Sequence, residues 1–397
     1  MKKLRVGVLF GGRSGEHEVS LLSAASVLDA IDKQKYDVVP IGITKEGRWV
    51  TSGHAERLLK GEVVSSHKPR HLRAGDPDVT SAAAVLRRGE GVVVPPIPSD
   101  HHSALVPFET DASQVNAAAE AVDVDIIFPV LHGTFGEDGT IQGLLELADI
   151  AYVGAGVLGS AAGMDKEVMK RLFRDAGLPI VKHVTVLRSA WREEPRKVRK
   201  EIERGLKYPL FVKPANLGSS VGISKVHDAT ELPPAMDEAA NFDRKIVVEQ
   251  GVGGATGKAR EIECSVLGND APIASVPGEV VPVKEFYDYN AKYLEEGSEL
   301  IIPAKLSKAK QKEVQRLAIE AFQAVDCAGM ARVDFLMDPR SGKMYVNEIN
   351  TLPGFTSISM YPKLWAASGV GYAALIDRLI QLGLERHADK KENRYSR

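Results

Sequence analysis

The feature that most constrains the fold is at the start of the chain. There, an apolar segment ends at two glycines, and a segment with the pattern of an amphipathic helix follows. Residues 4–10 form the apolar segment, and Gly11 and Gly12 follow it. Ser14 then stands where a helix N-cap is expected. Apolar residues recur beyond it at helical spacing, at Leu21, Ala24, Ala25, Leu28 and Ile31. A second apolar segment, DVVPIGIT, completes a β-α-β unit, so we predict an N-terminal α/β domain with a doubly wound sheet.

The glycine turn itself, in the stretch LFGGRSGEHEVS, resembles a loop that presents backbone N–H groups to a phosphate. However, Glu16 and Glu18 stand where the phosphate would bind, and a helix N-terminus cannot serve both charges. The glycines at 11, 12 and 15 also lack the G-x-G-x-x-G spacing of a dinucleotide site. We therefore expect the phosphate-binding groups elsewhere in the chain.

Length and composition limit the classes of protein to consider. With 397 residues and 44% hydrophobic content, the chain is long enough for two or three packed units. Its net charge of −2 argues against nucleic acid or an anionic membrane as a partner. Cys264 and Cys327 form no C-x-x-C pair, so neither a disulfide scaffold nor structural zinc is expected. We predict a cytoplasmic protein with small-molecule partners, and we predict no membrane span.

Two regions give the domain organisation. Residues 51–122 show no clear period and are expected to form loops or a small insert. The segment AYVGAGVLGSAAGMDKEVMK then gives a glycine turn followed by a helix, which indicates a domain boundary near residue 154.

The strongest chemical pattern is a predicted hairpin around DPRSG near the end of the chain. Asp334 lies on its first strand, with Arg332 on the same side, while Glu348 and Asn350 lie two residues apart on the second strand. Folding the hairpin brings three hard oxygen ligands together, as Mg²⁺ requires. The alternative for any single acid is an ordinary solvated hairpin face.

A magnesium site with few protein ligands completes its shell with substrate phosphates, so cationic residues near glycine loops are relevant. Lys213 ends a predicted strand and directly precedes PANLGSSVG. The loop groups that could contact phosphate oxygens belong to Gly218, Ser219, Ser220 and Gly222. Lys166, in GMDKEVMK, lies near a helix start. The alternatives are a flexible hairpin loop around Ser219 and a solvated surface lysine at 166.

Together these motifs resemble the D-alanine–D-alanine ligase family of ATP-grasp enzymes. The resemblance covers nearly the whole chain and depends on FGGRSGEHEVS, LHGTFGEDGTIQG, MDK, VKPANLGSSVGISKV, EQGV, REIECSVLGN, YDYNAKY, RVDF and NEINTLPGFTSIS. It implies a three-domain ATP-grasp fold with an N-terminal doubly wound, Rossmann-like domain. The implied domains are residues 1–154, which bind the first substrate, the central residues 155–252, and the C-terminal catalytic residues 253–397.

The resemblance also implies the roles of individual residues. Those implied to bind ATP are Lys166, Lys213, Ser220, Glu249 and Glu261. Those implied to bind two Mg²⁺ or Mn²⁺ ions are Asp334, Glu348 and Asn350. Those implied to bind the D-alanine substrates are Glu16, His132, Lys292 and Ser359.

Catalysis is implied for two further groups. A triad that closes the site consists of Glu16, Ser219 and Tyr293, and it would keep water away from a reactive intermediate. Arg332 and the backbone N–H of Gly354 would stabilise the oxyanion of a tetrahedral step. An insert at Gly253–Ala259 is longer than the family's turn, which leaves the ribose contact of Glu261 open.

The implied activity is ATP-driven ligation of two D-alanine molecules through a D-alanyl phosphate, which supplies peptidoglycan precursors. The family is commonly dimeric, so the resemblance implies a homodimer. The loop YDYNAKY has the dipeptide-forming pattern. Two alternatives stay open: a ligase that takes D-lactate or D-serine as second substrate, and an ATP-binding module without turnover.

Overall fold

The structure is a computed structural model that describes residues 3–45, 47, 49–51, 90–94, 104–107, 122–254, 257–281 and 299–394. It divides into two compact units. The first unit comprises Met1–Val157 and Leu352–Arg397, and the second comprises Leu158–Thr351. Residues 352–397 thus group with the N-terminal part of the chain. The boundaries of the three implied domains stay a prediction.

The elements are numbered in chain order over the described residues. The strands are β1 (Leu4–Gly11), β2 (Tyr36–Ile43), β3 (Trp49–Thr51), β4 (Glu90–Val93), β5 (Ala104–Pro107), β6 (Val122–Asp123), β7 (Ile126–Val130), β8 (Ala151–Tyr152), β9 (His183–Leu187), β10 (Leu210–Pro214), β11 (Ser224–Val226), β12 (Lys245–Gln250), β13 (Arg260–Gly268), β14 (Ile273–Ala274), β15 (Gly278–Val281), β16 (Glu299–Ile301), β17 (Gly329–Met337) and β18 (Met344–Asn350). The helices are α1 (His17–Ala30), α2 (Thr140–Leu147), α3 (Val157–Met164), α4 (Lys166–Asp175), α5 (Arg188–Glu193), α6 (Pro195–Gly205), α7 (Leu232–Phe242), α8 (Lys308–Ala324), α9 (Met360–Ala367) and α10 (Tyr372–Lys390).

The first unit contains the predicted β-α-β unit. Its described strands form one sheet in the order β6-β5-β4-β3-β2-β1-β7-β8. The central strand β1 runs parallel to both β2 and β7, and β8 runs parallel to β7. A buried hydrophobic cluster joins Leu9, Ile41 and Ile127 of this sheet to Ile141 and Leu145 of α2. The strands β4 and β5 lie in the region that the sequence assigned to loops or an insert, most of which is outside the described residues.

The glycine turn after β1 has the backbone that glycine permits. Gly11 and Gly12 have φ values of 91° and 100°, and a Cβ at Gly11 would lie 2.2 Å from the backbone oxygen of Ile43. The predicted N-cap at Ser14 is wrong, because α1 begins three residues later and its N-cap position is Glu16. The Ser14 hydroxyl instead accepts a 3.2 Å hydrogen bond from the Glu16 N–H, within the turn that precedes the helix.

The second unit contains two sheets in its described part. One has the order β11-β10-β12-β9, and the other has the order β16-β15-β13-β17-β18 with β14 beside β13. In the first of these, β10 and β11 pair in an antiparallel manner on either side of the loop that follows Lys213. The predicted strand, glycine-serine loop and strand are therefore confirmed.

The predicted hairpin is present as β17 and β18, with a bulge that the sequence analysis did not include. Arg332 pairs with Asn350, and Asp334 pairs with Glu348, but the next pair joins Phe335 to Val346. Asn347 is therefore an extra residue on β18. With this extra residue, Arg332 and Asp334 share one face with Glu348 and Asn350, while Val333 and Phe335 lie on the other face with Val346 and Ile349.

The described residues contain no helix that is long and apolar enough to cross a membrane.

Candidate functional site

A buried carboxylate with two lysines lies at the centre of the second unit. Glu249 lies on β12 and is 2% exposed. Its Oε2 is 2.8 Å from the Nζ of Lys213 on β10, and its Oε1 is 2.9 Å from the Nζ of Lys170 on α4. A buried charge is tolerated only when it is paired, and here each oxygen of the carboxylate has its own ammonium group.

The pKa shifts of this cluster agree with its geometry. Burial alone would raise the pKa of Glu249, but the charges of Lys170 and Lys213 lower it to about 2. Burial lowers the pKa of Lys170, against the opposing charge of Glu249. Burial acts in the same direction on Lys213, but the charges of Glu249 and Glu348 raise its pKa above the usual value. Glu249 is therefore an anion throughout the neutral pH range.

Lys170 is a member of this cluster that the sequence analysis missed. It is fully buried, and its Nζ also donates a 3.2 Å hydrogen bond to the backbone oxygen of Asn347, the extra residue of the bulge. Lys170 therefore connects the sheet that carries Glu249 to the hairpin that carries Glu348. The signal that could have revealed it is its spacing, since it lies one helical turn after Lys166 on the same face of α4.

Lys166 is not the solvated surface lysine of the alternative interpretation, since it is 7% exposed. Its Nζ donates a 2.7 Å hydrogen bond to the backbone oxygen of Leu217 and lies 3.7 Å from Oε2 of Glu348. Asp165 caps α4 by accepting hydrogen bonds from two backbone N–H groups of the first turn. Asn216 donates to this aspartate across 3.2 Å, so the MDK motif is held against the end of β10.

The glycine-serine loop carries local backbone strain. Ser219 and Ser220 have φ values of 49° and 61°, in the left-handed region that residues with a side chain seldom occupy. Gly222 has a φ of 69°, and a Cβ there would lie 2.6 Å from Cδ2 of Phe242. Strained serines in a loop that follows Lys213 are typical of a ligand-binding segment.

The hairpin face assembles the predicted metal ligands around Arg332. The guanidinium holds Asp334 with two hydrogen bonds, from Nε to Oδ1 and from Nη2 to Oδ2, both of 2.7 Å. The Asn350 amide donates a 3.0 Å hydrogen bond to Oδ2 of Asp334, and Glu348 is the cross-strand partner of Asp334. Glu263, which the sequence analysis did not single out, lies 3.0 Å from Nε of Arg332 through its Oε2.

This donor set fits a divalent cation that completes its shell elsewhere. Two carboxylates and an amide supply hard oxygen atoms, the ligand type of Mg²⁺ and Mn²⁺, with the remaining positions left for phosphate oxygens and water. No group of three histidine, cysteine or acidic residues in the described ranges is arranged to hold a metal, so these residues do not form a complete protein cage.

Glu261, the implied ribose contact, lies on β13 and is half-buried. It pairs with Leu336 of β17, two residues along the strand from Glu263. The insert beside it lies partly outside the described residues, so its effect on this contact stays open.

The first unit gathers a second set of predicted residues. Glu16 is 9% exposed, and a Cβ added at Gly133 would lie 2.6 Å from its Oε2, so the carboxylate lies directly against that glycine. His132 is buried next to it, with its Nδ1 3.8 Å from Oε1 of Glu137 and its Nε2 3.1 Å from the hydroxyl of Ser23. Two acids and a histidine form a site suited to a small cationic group.

The pKa shifts in this cluster favour bound protons. Burial alone would lower the pKa of His132, but Glu137 and the charge of Glu16 raise it above the usual value. Burial and the charge of Glu16 raise the pKa of Glu137, against the opposing influence of His132.

Gly354 and Ser359 lie together in the same unit. A Cβ at Gly354 would be 3.1 Å from the Ser359 hydroxyl, which accepts a 3.0 Å hydrogen bond from the N–H of Thr356. The adjacent N–H of Phe355 donates across 3.4 Å to Ser23, the residue that also contacts His132. The loop with the proposed oxyanion donor is thereby connected to the histidine. Lys292 and Tyr293 lie outside the described residues.

Comparison with known proteins gives matches along almost the entire chain. Residues 5–155 match the family described as D-ala D-ala ligase N-terminus, and residues 172–381 match the family described as D-ala D-ala ligase C-terminus. A D-alanine–D-alanine ligase of Thermoanaerobacter sp. (strain X514) is 50% identical over 391 residues, which cover 98% of this chain and 99% of the relative. D-alanine–D-alanine ligase A of Escherichia coli (strain K12) is 48% identical over 389 residues, 98% of each chain.

Solved structures give the same result. The D-alanine-D-alanine ligase from Coxiella burnetii has a TM-score of 0.79 and 36% identity, and the alignment covers 99% of this chain and 97% of the other. The VanG D-Ala:D-Ser ligase from Enterococcus faecalis has a TM-score of 0.78 and 35% identity, with coverage of 96% and 100%.

Proposed function

The chain belongs to the D-alanine–D-alanine ligase family, and on that premise we propose that it joins two D-alanine molecules at the expense of ATP. The observation that supports this most is the single face in the second unit where Arg332, Asp334, Glu348 and Asn350 meet, near Lys166. A phosphoryl group in transfer needs charge neutralisation and positioning more than a covalent protein group. Lysine, arginine and hard oxygen ligands on one face supply both.

In the first step, a D-alanine carboxylate attacks the γ-phosphate of ATP, the bond between the β- and γ-phosphates breaks, and D-alanyl phosphate and ADP are formed. In our proposal, Lys166 and Lys213 bind the phosphates, with Ser220 in the strained loop that follows Lys213 and Glu249 and Glu261 on the nucleoside side. Divalent cations held by Asp334, Glu348 and Asn350 would neutralise phosphate charge. The carboxylate of Glu249 holds the Lys213 ammonium at 2.8 Å, which restricts the positions from which that lysine reaches a phosphate.

The second step is the attack of a second D-alanine amine on the acyl phosphate, with loss of inorganic phosphate. Arg332 and the N–H of Gly354 would stabilise the tetrahedral oxyanion. In the first unit, Glu16 would bind the ammonium group of the first D-alanine next to His132. Ser359 and Lys292 would bind the second carboxylate, and Ser219 and Tyr293 would close the site with Glu16.

The number of metal ions, the assembly, the location, the use of the product and the second substrate belong to the same proposal. The donor set and the family suggest two Mg²⁺ or Mn²⁺ ions in each site. A homodimer in the cytoplasm is the expected assembly and location, and the product would enter peptidoglycan synthesis. D-lactate or D-serine as second substrate is the alternative, for which a solved relative is named a D-Ala:D-Ser ligase.

The experiment that tests this function is a substrate panel with purified protein. We expect phosphate release from ATP only with D-alanine and Mg²⁺ both present, and D-alanyl-D-alanine as the amino-acid product by mass spectrometry. Preference for D-lactate or D-serine as second substrate would favour the alternative ligase. Binding of ATP without turnover for any of these substrates would contradict the ligase function and leave an ATP-binding module.

A further inference from the structure

Arg332 lies between two carboxylates on neighbouring strands. Its Nε is 2.7 Å from Oδ1 of Asp334 on its own strand and 3.0 Å from Oε2 of Glu263 on β13. All three side chains are largely buried, with 18%, 15% and 13% exposure for Arg332, Asp334 and Glu263. Arg332 therefore donates hydrogen bonds to Asp334 and forms an ion pair with Glu263. Because attraction between opposite charges is stronger at low exposure than in water, both carboxylates contribute to the orientation of the guanidinium.

The sheet register accounts for this arrangement. Glu263 pairs directly with Asp334, and Ser265 pairs with Arg332, so Glu263 is the diagonal neighbour of the arginine on the same face. Long side chains reach each other at diagonal positions of an antiparallel pair. The contact therefore depends on two regular strands rather than on a loop.

The carboxylates of Asp334 and Glu263 have different roles in the proposed reaction. In the proposed function, Asp334 binds a divalent cation, yet both of its oxygens already accept hydrogen bonds from Arg332. A cation that binds Asp334 draws on the same negative charge and weakens the attraction to the guanidinium. Glu263 is not among the predicted metal ligands, so its charge is not shared with the cation in the proposed function.

We propose that Glu263 is a positioning residue that keeps Arg332 oriented over the reacting groups while Asp334 binds the metal. The proposal rests on the proposed function for the roles of Arg332 and Asp334. Glu263 does two things: it retains the guanidinium once the metal is bound, and it shares the positive charge beforehand, which makes Asp334 easier for a cation to bind.

The variant Glu263→Gln tests both consequences, because it keeps the shape of the side chain and removes its charge. We expect kcat to fall by about tenfold or more, because a largely buried ion pair that orients Arg332 is lost, with the KM for D-alanine unchanged. We also expect weaker binding of Mn²⁺ in the presence of a non-hydrolysable ATP analogue, measured without turnover from the EPR signal of free Mn²⁺.

Glu279→Gln is the matched control. Glu279 lies in the same sheet and holds Arg260 through two hydrogen bonds of 2.7 and 2.6 Å, with side-chain exposures of 9% and 31%. It is therefore a second arginine–glutamate pair, and none of the contacts described for Glu279 reaches Arg332. This variant should retain wild-type kcat and Mn²⁺ affinity. Thermal unfolding of both variants shows whether each is folded. Glu263→Asp, which keeps the charge but shortens the side chain, is a second variant with the same expected direction.

The outcomes separate this proposal from the function on which it rests. Reduced kcat and weaker Mn²⁺ binding in Glu263→Gln, beside an unaffected Glu279→Gln, support the positioning role. Equal behaviour of the two variants, or a Mn²⁺ affinity of Glu263→Gln and Glu263→Asp equal to that of the wild type, overturns it. If the wild-type protein shows no D-alanine-dependent ATP cleavage, the proposed function fails, whereas the Mn²⁺ titration still reports on Glu263.

Discussion

At the scale of single residues, Lys170 connects the two sheets of the second unit. It neutralises Glu249 from the side opposite Lys213 and donates to the Asn347 oxygen of the hairpin. We predict that Lys170→Met reduces the free energy of unfolding by about 3–5 kcal/mol, because it leaves a buried carboxylate with only one of its two partners. Chemical denaturation followed by fluorescence measures this loss.

The same variant should also weaken nucleotide binding. Without Lys170, the Glu249 carboxylate turns fully toward Lys213, which is then less available to a phosphate. Calorimetric titration with a non-hydrolysable ATP analogue should show reduced affinity for Lys170→Met. Arg174→Met, on the exposed part of the same helix, is the control for loss of a cation from α4. Wild-type affinity and stability in Lys170→Met would contradict the role assigned to this lysine.

His132 and Glu137 give a pH dependence at the same scale. Both have a pKa above the usual value, so the folded first unit holds protons more tightly than the unfolded chain. The stabilisation from His132 is therefore complete below its unfolded pKa of about 6.5 and is lost as pH rises through the higher folded pKa. We predict that thermal stability falls less between pH 6 and about pH 8.5 in Glu137→Gln than in the wild type.

The control for this pH effect is Asp37→Asn, since Asp37 is an exposed carboxylate of the same unit. Its pH profile of thermal unfolding should run parallel to that of the wild type. A Glu137→Gln profile that also runs parallel would show that the buried pair does not contribute to the pH dependence.

Residue types and spacing predicted part of the site because those features are local in sequence. The hairpin spacing predicted that Asp334 lies close to Glu348 and Asn350, and the lysine before a glycine-serine loop indicated Lys213. Lys170 could have been singled out by its spacing from Lys166, but its partner Glu249 could not, because that residue lies on a strand distant in sequence. Glu263 carried no local signal, since its contact with Arg332 depends on sheet register and on burial.

At the scale of elements, the bulge in β18 determines which side chains of that strand lie on the buried face and which lie on the polar face. Apolar residues on this strand are spaced by two and then by three, at Met344, Val346 and Ile349, and all three are buried. A regular strand would place Ile349 on the polar face, whereas the extra residue restores it to the core. The change of spacing is present in the sequence, so this feature is predictable from it, whereas a uniform strand period does not predict the bulge.

Deletion of Asn347 tests what the bulge contributes. Val346 and Glu348 would then alternate regularly, so the pairing of Asp334 with Glu348 is retained. Lys170, however, loses the carbonyl acceptor that the bulge presents at 3.2 Å. We predict a loss of about 1–3 kcal/mol in the free energy of unfolding, from a buried ammonium with one acceptor fewer. Denaturant titration measures it.

Asn347→Ala distinguishes the contribution of the backbone to stability from that of the Asn347 side chain, because this variant keeps the bulge and its carbonyl oxygen. This variant should remain close to the wild type in stability. If the alanine variant loses as much stability as the deletion, the Asn347 side chain rather than the bulge is responsible.

At the scale of the whole molecule, the groups proposed to bind ATP and metal all lie in Leu158–Thr351, a continuous stretch. The first unit is discontinuous, because Leu352–Arg397 returns to the N-terminal part of the chain. Helix α10 packs there against α1, β7 and β8. The β-α-β pattern predicted β1, α1 and β2 of this unit, but nothing local in the sequence indicates that a helix almost at the end of the chain packs against α1.

The contacts of Arg386 allow the packing of α10 against the N-terminal part of the chain to be tested. Its Cζ lies 4.1 Å from the ring centroid of Tyr152 on β8, and its guanidinium donates to the hydroxyl and the backbone oxygen of the same tyrosine at 3.2 and 3.1 Å. We predict that Arg386→Ala destabilises the first unit by about 1–3 kcal/mol, through the loss of a stacked cation and two hydrogen bonds.

Hydrogen exchange measured by mass spectrometry locates this effect within the molecule. Peptides from β7, β8 and α10 should exchange faster in Arg386→Ala, because local opening of a unit costs less free energy when its packing is weakened. Arg378→Ala is the control, since Arg378 is exposed on the same helix and pairs only with Glu385 among the contacts described for it. Peptides from residues 158–351 should keep their protection. Equal loss of protection there would show that the chain opens as one cooperative body, and the two units would then share a single stability.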